Sequence, residues 1–316
     1  MTEKIAVVGS GLIGRAWAIS FAKAGYNVHM TDIDEEVLNK SLNILQSSLR
    51  DLDAHNLLND QSAQMVEERI TPQTNLEAAL KGATYVQENT AELLEVKKDV
   101  YAQLDKLTNS EAVIGSSTSG FMASLFTENL KSRHRCLVAH PINPPYLVPA
   151  VELCPAPWTD KASVDKAATI MERAGHRPIR MAREIDGFIV NRLQIALLHE
   201  AFRLIDGGYA SCEDVDTAIK DGLSHRWSFI GPLETGDLNA PGGIRDYCTK
   251  FGDLIERVGL SQKENAKFRG DLLNKIEAQR REILPAANLA KRAAWRDQRL
   301  MALANHKKNA SQMLGD

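Results

Sequence analysis

Short apolar runs alternate with amphipathic stretches through the first half of the chain. The apolar runs predict strands at residues 5–8, 27–31, 84–87, 112–115, 136–139 and 148–153. Apolar residues at helical spacing predict helices at residues 12–24, about 35–68 and 93–107. Because strands and helices alternate, we predict an α/β fold with a parallel sheet covered by helices on both faces.

The pattern changes near residue 186, after which no further strand is predicted. One long helix is predicted over residues 188–205, and the helices that follow are separated by Gly231-Pro232, Pro241-Gly242-Gly243 and Pro285. We therefore predict an α/β domain over residues 1–185 and an all-α domain over residues 186–316.

Composition and charge exclude several classes of partner. The formal net charge is −3, so no strong positive field attracts nucleic acid or an anionic membrane. Neither a signal peptide nor a run of about 18 apolar residues is apparent, and we expect a cytoplasmic protein without a membrane segment. No metal site or disulfide framework is expected either, because the cysteines are widely spaced; they are Cys136, Cys154, Cys212 and Cys248.

A glycine-rich turn follows the first predicted strand and opens the first predicted helix. Its sequence is Gly9-Ser10-Gly11-Leu12-Ile13-Gly14. Gly9 permits a tight turn, Gly11 lets the backbone approach a pyrophosphate, and Gly14 lets the helix pack closely on the strand. Asp32 comes 18 residues after Gly14, at the end of the second predicted strand, where a carboxylate holds ribose hydroxyls. This combination predicts a dinucleotide site of the Rossmann type.

Asp32 also distinguishes between the two nicotinamide dinucleotides. Its negative charge repels a 2′-phosphate, and residues 33–36 supply no cation that would accept one. We therefore predict NAD rather than NADP.

His140 is the candidate base. It ends a predicted strand and enters a loop that is rich in proline, and Glu152 lies twelve residues beyond it. A neutral imidazole suits proton transfer near neutral pH, and a neighbouring carboxylate stabilises the imidazolium that forms. The two side chains pair only if the intervening loop folds back. The alternative from the residues alone is a hydrogen-bonded structural histidine.

The chain resembles the 3-hydroxyacyl-CoA dehydrogenase family over nearly its whole length. The matching segments are residues 9–14, 117–119, 140–143, 151–153 and 187–192. Within the family it is most similar to the branch of lambda-crystallin and L-gulonate 3-dehydrogenase, through residues 140–146, 229–235 and 294–297. The resemblance implies a Rossmann domain, a helical dimerisation domain, NAD as cofactor and a homodimer.

The resemblance also implies a role for individual residues. His140 would be the base and Glu152 its partner. Hydrogen bonds to the reacting oxygen, or support for them, are implied for Ser119, Asn191 and Asn143. Contact with the cofactor is implied for Glu92 and Lys97, which otherwise read as solvated charges on a helix.

Three classes of substrate compete. An acyl-CoA needs cations for its phosphates, and the resemblance implies that residues 35–68 flank the CoA groove in acyl-CoA members of the family. These residues hold only Lys40 and Arg50 against seven acidic residues, which disfavours an acyl-CoA unless the charges face solvent on the far side of the helix. A small hydroxy acid such as L-gulonate needs one cation for its carboxylate, and we predict Arg226 in that role. Carnitine would need a box for its trimethylammonium group, to which Trp227 and Tyr146 could contribute. A crystallin-like structural protein is the non-enzyme alternative.

Overall fold

The computed structural model describes residues 3–315 of the chain. These residues form two compact units. The first runs through Val190 and includes Gln298–Ala310, and the second comprises Asn191–Asp297 and the residues after Ala310. The predicted domain boundary between residues 185 and 186 stays a prediction.

An eight-stranded sheet organises the first unit. Its strands are β1 Lys4–Val8, β2 Asn27–Thr31, β3 Ile70–Gln73, β4 Tyr85–Glu88, β5 Val113–Ser116, β6 Cys136–Pro141, β7 Ala150–Pro155 and β8 Arg177–Arg180. The strand order is β3-β2-β1-β4-β5-β6-β7-β8. Neighbouring strands are parallel from β3 through to β6. The predicted α/β fold is confirmed.

Helices cover both faces of this sheet. They are α1 Leu12–Lys23, α2 Glu35–Ala54, α3 Ala63–Glu67, α4 Leu76–Leu80, α5 Leu94–Leu107, α6 Ser124–Thr127 and α7 Lys161–Arg173. One core is built around Trp17, Phe21 and Leu45, and the other around Tyr101 and Phe126. Burial of these large side chains supplies most of the stability of such a layered unit.

The remainder of the chain is helical. Its helices are α8 Val190–Asp206, α9 Cys212–Thr217, α10 Ser224–Trp227, α11 Pro232–Leu238, α12 Gly243–Ser261, α13 Asp271–Ile283 and α14 Leu289–Leu314. Large apolar side chains such as Phe229 and Leu233 are exposed on it. The predicted homodimer, which would cover faces of this kind, stays a prediction. Within residues 3–315, no helix combines the length and the apolar character that crossing a bilayer requires.

The direction of β7 departs from the predicted parallel sheet. β7 runs antiparallel to β6, and β8 is parallel to β7. Only residues 142–149 separate β6 from β7, which is too short for the crossover that a parallel neighbour requires. The chain therefore turns back directly.

Three local features of the first unit also differ from the prediction. The strands β3 and β8 were not predicted; both contain a proline, Pro72 and Pro178, and both lie at an edge of the sheet, where a missing N–H is tolerated. The helix predicted over residues 35–68 ends after Ala54. Asn56, Asn59 and Asp60 adopt positive φ there, a conformation that ends a right-handed helix.

His176 makes the stability of the first unit dependent on pH. The side chain is 4% exposed, its Nδ1 lies 3.2 Å from the Pro149 carbonyl oxygen, and its ring lies against Trp17 with centroids 4.7 Å apart. Burial lowers the pKa of His176 to about 4, from 6.5 in the unfolded chain. The unfolded state therefore binds more protons between pH 6.5 and pH 4, and stability falls as the pH falls through that window.

We expect this histidine to remove about 2 kcal/mol from the free energy of unfolding between pH 7 and pH 5. Urea unfolding at the two pH values measures the difference. His176→Phe, which keeps an aromatic ring beside Trp17, should remove that part of the pH dependence. His134→Gln, at an exposed histidine, is the control and should leave it unchanged. An equal pH dependence in the native protein and in His176→Phe would contradict this assignment.

Candidate active site

The glycine-rich turn joins β1 to α1 and has the shape that a dinucleotide phosphate needs. Gly9 has a φ of +87°, and a Cβ at Gly14 would lie 1.8 Å from the Gly9 carbonyl oxygen, so the turn packs directly against the start of the helix. At Gly11 a Cβ would meet no atom within 4 Å, so that side is open. Gly11 precedes α1 and supplies no side-chain cap, and the first turn of α1 contains no acidic residue. The N–H groups and the partial positive charge of the helix start therefore suit a phosphate.

Asp32 lies directly after β2 and is fixed against this turn. Its Oδ2 accepts the Ser10 N–H at 2.6 Å and the Ser10 hydroxyl at 2.8 Å. Ser10 is fully buried, whereas Asp32 is half-buried. The turn and the carboxylate thus form one rigid element, and these residues fit a dinucleotide with free ribose hydroxyls.

His140 and Glu152 face each other across β6 and β7. The antiparallel register pairs the two residues directly, and His140 Nδ1 donates to Glu152 Oε2 at 2.7 Å. A carboxylate accepts only, so it places the proton of the neutral ring on Nδ1 and leaves Nε2 as the basic nitrogen. His140 is 5% exposed and Glu152 is fully buried, so the pair is shielded from water.

The second oxygen of Glu152 is held by the backbone. Oε1 accepts the N–H groups of Ile189 and Val190 at 2.7 and 2.9 Å. These groups follow Gly187 and Phe188, which have φ values of +73° and +49°. A positive φ is unfavourable for phenylalanine, so this turn is strained. It directs the N–H groups of the next two residues toward one carboxylate oxygen. The Phe188 ring lies 5.4 Å from the His140 ring, centroid to centroid.

These contacts determine the charge of Glu152. Burial alone would raise the pKa of its carboxyl group, but the hydrogen bonds from His140 and from the two backbone N–H groups outweigh burial and lower the pKa. Glu152 is therefore a carboxylate at neutral pH, as a partner for an imidazolium must be.

The Ser119 loop, residues 117–120, follows the carboxyl end of β5. Because β5 and β6 are parallel neighbours, this loop lies at the same end of the strands as His140. Glu92 contacts this loop: its Oε1 accepts from the Thr118 hydroxyl, the Ser119 N–H and the Gly120 N–H at 2.6, 2.9 and 3.0 Å. Lys97 lies 3.4 Å from Glu92 Oε2 and is 1% exposed. The alternative that Lys97 is a solvated charge is therefore wrong. Contact of Glu92 and Lys97 with the cofactor stays a prediction.

The remaining predicted residues are more widely distributed. Asn143 is exposed in the loop after β6. Asn191 belongs to α8 and Arg226 to α10, both in the second unit, and Arg226 is exposed. Their roles toward a substrate stay predictions. Within residues 3–315, no group of three or more His, Cys, Asp or Glu side chains is arranged to hold a metal ion.

Three features near the carboxyl ends of these strands were not predicted from the sequence. The backbone donors at Ile189 and Val190 carry no signal in their side chains. Phe188 follows Gly187, and a Gly–Phe pair does not by itself reveal a left-handed turn. Glu88 ends β4, and its complete burial is unusual for a glutamate; only the β-like run that precedes it could have indicated that burial.

Comparison with known proteins adds a family context to this geometry. The model of the 3-hydroxyacyl-CoA dehydrogenase NAD-binding domain matches residues 4–185, and that of the C-terminal domain of the same family matches residues 187–267. A lambda-crystallin homolog of Bos taurus is 42% identical and covers 96% of this chain and 95% of its own. An L-carnitine dehydrogenase of Streptomyces griseus is 36% identical over 80% of this chain and 75% of its own.

A solved structure shares the fold over almost the whole chain. It is a 5-formyl-3-hydroxy-2-methylpyridine 4-carboxylic acid 5-dehydrogenase, described as an NAD⁺-dependent dismutase, with a TM-score of 0.82. The match covers 98% of each chain at 22% sequence identity. At that identity the likeness shows the fold alone.

Proposed function

The chain belongs to the 3-hydroxyacyl-CoA dehydrogenase family, and from that premise we propose that it oxidises the 3-hydroxyl of a small, L-gulonate-like hydroxy acid to the 3-keto acid. Its cofactor is NAD, and its reaction class is that of an oxidoreductase acting on a CH–OH group. The observation that carries the proposed mechanism is the 2.7 Å hydrogen bond between His140 on β6 and Glu152 on β7.

The glycine-rich turn and Asp32 would hold the NAD. Bound NAD⁺ supplies the acceptor for the hydride that leaves the alcohol carbon. The His140 Nε2 atom takes the hydroxyl proton at the same time, so that a C–H and an O–H bond break and a C=O bond forms. Glu152 stabilises the imidazolium, and in the reverse direction Nε2 returns its proton to the carbonyl oxygen. Ser119 and Asn191 would donate hydrogen bonds to the reacting oxygen, with Asn143 in support.

Surface charge supports a small acid rather than an acyl-CoA. Residues 35–68 hold two basic and seven acidic residues, and both basic residues, Lys40 and Arg50, are exposed on α2. A surface of that sign repels the phosphates of CoA. Carnitine and a 3-hydroxyacyl-CoA are the alternative substrates, because relatives that are each 36% identical are named L-carnitine dehydrogenase and 3-hydroxyacyl-CoA dehydrogenase.

A screen of NAD⁺ reduction by the purified protein tests the proposal. L-gulonate, L-carnitine, 3-hydroxybutyrate and 3-hydroxybutyryl-CoA are compared by kcat/KM. We expect the free hydroxy acids to exceed 3-hydroxybutyryl-CoA, with L-gulonate the best of the four. A preference for the CoA ester would overturn the substrate assignment. Inactivity toward all four would favour the crystallin-like alternative.

Asp32 should set the preference for NAD. Asp32→Asn keeps an acceptor for Ser10 but removes the negative charge, so we expect NAD to bind about tenfold more weakly. The difference between the dissociation constants of NAD and NADP should therefore become smaller. Asp32→Ala should show the same trend. Titration with each dinucleotide measures the dissociation constants, with Glu36→Gln, at a nearby exposed carboxylate, as the control. Equal affinity of the native protein for NAD and NADP would contradict this role.

Arg226 should recognise the carboxylate of a free hydroxy acid. Its guanidinium is exposed on α10 and suits bidentate contact with a carboxylate. We expect Arg226→Ala to raise KM for such an acid by about tenfold or more, since a hydrogen bond between charged groups is lost. Turnover of 3-hydroxybutyryl-CoA should be unchanged or improved. An unchanged KM for every free acid would mean that Arg226 is only a surface charge.

A further inference from the structure

A buried amide side chain of β4 reaches across the sheet to the strand that carries His140. Gln87 is fully buried, and its Nε2 donates to the Ala139 carbonyl oxygen at 3.2 Å. Ala139 directly precedes His140 and lies one residue beyond the last pair of β5 and β6, which is Ser116 with Val138. A side chain of β4 therefore continues the hydrogen bonding of the sheet at the point where the paired residues of β5 end.

A glycine in β5 leaves room for this contact. Gly115 pairs with Gln87 between the two strands, and a Cβ on it would lie 2.2 Å from the Tyr85 hydroxyl oxygen and 3.0 Å from Ala139 Cβ. The Tyr85 hydroxyl donates to Gln87 Oε1 at 2.7 Å. Burial raises the pKa of the Tyr85 hydroxyl, so it stays protonated and remains a donor at neutral pH. Two side chains of β4 thus lie over a position of β5 that has no side chain.

The partners of the Gln87 amide fix its orientation. A carbonyl oxygen only accepts, so the amide nitrogen must face Ala139, and the same nitrogen donates to Ser117 Oγ at 2.7 Å. The indole N–H of Trp17, which can only donate, also reaches Ser117 Oγ, at 3.0 Å. The Ser117 hydroxyl then donates to Asn89 Oδ1 at 2.7 Å. Each N–H or O–H of the Gln87, Ser117 and Trp17 side chains therefore has an acceptor.

The other end of this network lies beside the glycine-rich turn. Asn89 Nδ2 donates to the Val8 carbonyl oxygen at 3.3 Å and to the Gln87 carbonyl oxygen at 2.8 Å. Val8 is the last residue of β1, immediately before the turn. The contacts therefore run from the end of β1, through β4 and β5, to the residue of β6 that precedes His140.

The network lies on the face of the sheet opposite the His140 ring. Successive residues of a strand point to opposite faces. The Ala139 side chain belongs to the core that contains Trp17, whereas the His140 ring lies 5.4 Å from the ring of Phe188, which belongs to the other core. The network therefore acts on the backbone before His140 rather than on its ring.

We propose that Gln87 is a positioning residue for the base. Together with Ser117 and Asn89, it fixes the backbone before His140 relative to the end of β1 and the glycine-rich turn. Glu152 orients the imidazole ring, but the place of that ring along the sheet depends on where β6 holds its backbone. A displacement of about 1 Å at a reacting group can cost about a hundredfold in rate, so this backbone contact matters to turnover. The proposal rests on the proposed function only for the role of His140.

Replacing Gln87 with leucine is the main test, because Gln87→Leu removes the amide and keeps a buried side chain of similar size. In the NAD-free protein, we expect hydrogen–deuterium exchange of peptides covering residues 138–142 to be faster by about tenfold or more. The kcat for the best substrate of the screen should fall by about tenfold or more, whereas its KM should stay within about threefold. The dissociation constant of NAD should also stay within about threefold, because Asp32 and Ser10 still hold the turn.

Thr159→Val is the matched control, because it removes a hydrogen bond from the opposite end of the same strand. The Thr159 hydroxyl donates to the Cys136 carbonyl oxygen at 2.6 Å, and Thr159 is half-buried. This variant should keep native kcat and native exchange over residues 138–142, whatever stability to urea it loses. The proposal is overturned by native-like kcat or exchange in Gln87→Leu, or by an equal loss of kcat in Thr159→Val.

Tyr85→Phe is the milder variant, since it removes only the hydroxyl that donates to Gln87 Oε1. We expect exchange over residues 138–142 to be faster by about threefold or more in it. If circular dichroism shows that Gln87→Leu does not fold, Tyr85→Phe decides alone, and native-like exchange in it then overturns the proposal. Exchange needs no substrate, so inactivity of the native protein would count against the proposed function and leave the network to be judged by exchange.

Discussion

Replacing His140 with alanine is expected to lower kcat by about a hundredfold or more, the usual scale for a general acid–base group. The reason is local: Nε2 is the basic nitrogen of a ring whose Nδ1 is held by Glu152 at 2.7 Å. Without the ring, the hydroxyl proton must leave to water as the hydride departs. The rate of NADH formation at saturating NAD⁺ and substrate measures the effect.

The affinity for NAD should barely change in this variant. His140 is the penultimate residue of β6, whereas the glycine-rich turn follows β1, and β4 and β5 lie between these two strands. His134→Ala, at an exposed histidine just before β6, controls for the loss of an imidazole elsewhere and should be as active as the native protein. Near-normal turnover by His140→Ala would show that another group is the base.

Glu152→Gln is expected to lower kcat by a similar factor of about a hundredfold or more, although it changes almost no geometry. The glutamine oxygen can still accept the N–H groups of Ile189 and Val190, which leaves the amide NH₂ facing His140 Nδ1. His140 Nδ1 must then accept a hydrogen bond from this NH₂ group, so the ring proton moves to Nε2. Nε2 can then no longer act as the base. The negative charge that stabilises the imidazolium is lost as well.

A double variant separates this explanation from a general disturbance of the site. If His140 and Glu152 act as a unit, His140→Ala with Glu152→Gln should be no slower than His140→Ala alone. Urea unfolding of Glu152→Gln should show that the first unit remains folded. Multiplicative losses in the double variant, or native turnover in Glu152→Gln, would disprove the pairing as a catalytic unit.

Local features of the sequence were sufficient to predict the strands and the helix around the candidate dinucleotide site. The strands at residues 27–31 and 136–139 and the helix at residues 12–24 follow from hydrophobic periodicity, and the structure confirms an element at each place. The glycine-rich turn and Asp32 could be identified from spacing, because the turn needs glycine for its backbone and the carboxylate has its place at the end of the second strand. These are short-range requirements, which a sequence shows directly.

The pairing of His140 with Glu152 depended on tertiary structure. The sequence placed His140 and Glu152 twelve residues apart, but only the antiparallel direction of β7 puts them opposite each other. The backbone donors for Glu152 follow the turn at Gly187 and Phe188, far along the chain, where Phe188 adopts a positive φ that its residue type does not favour.

The charged residues of α5 show the same limit. Lys97 and Glu95 are two positions apart and read alike as helix charges, yet the side chain of Lys97 is 1% exposed and that of Glu95 is 80% exposed. The difference arises because Lys97 contacts Glu88. Glu88 is the last residue of β4, is buried, and accepts a hydrogen bond from Ser116 of β5. Periodicity reports the spacing of charges along a helix, whereas their burial and partners are decided by the strands that the fold brings against it.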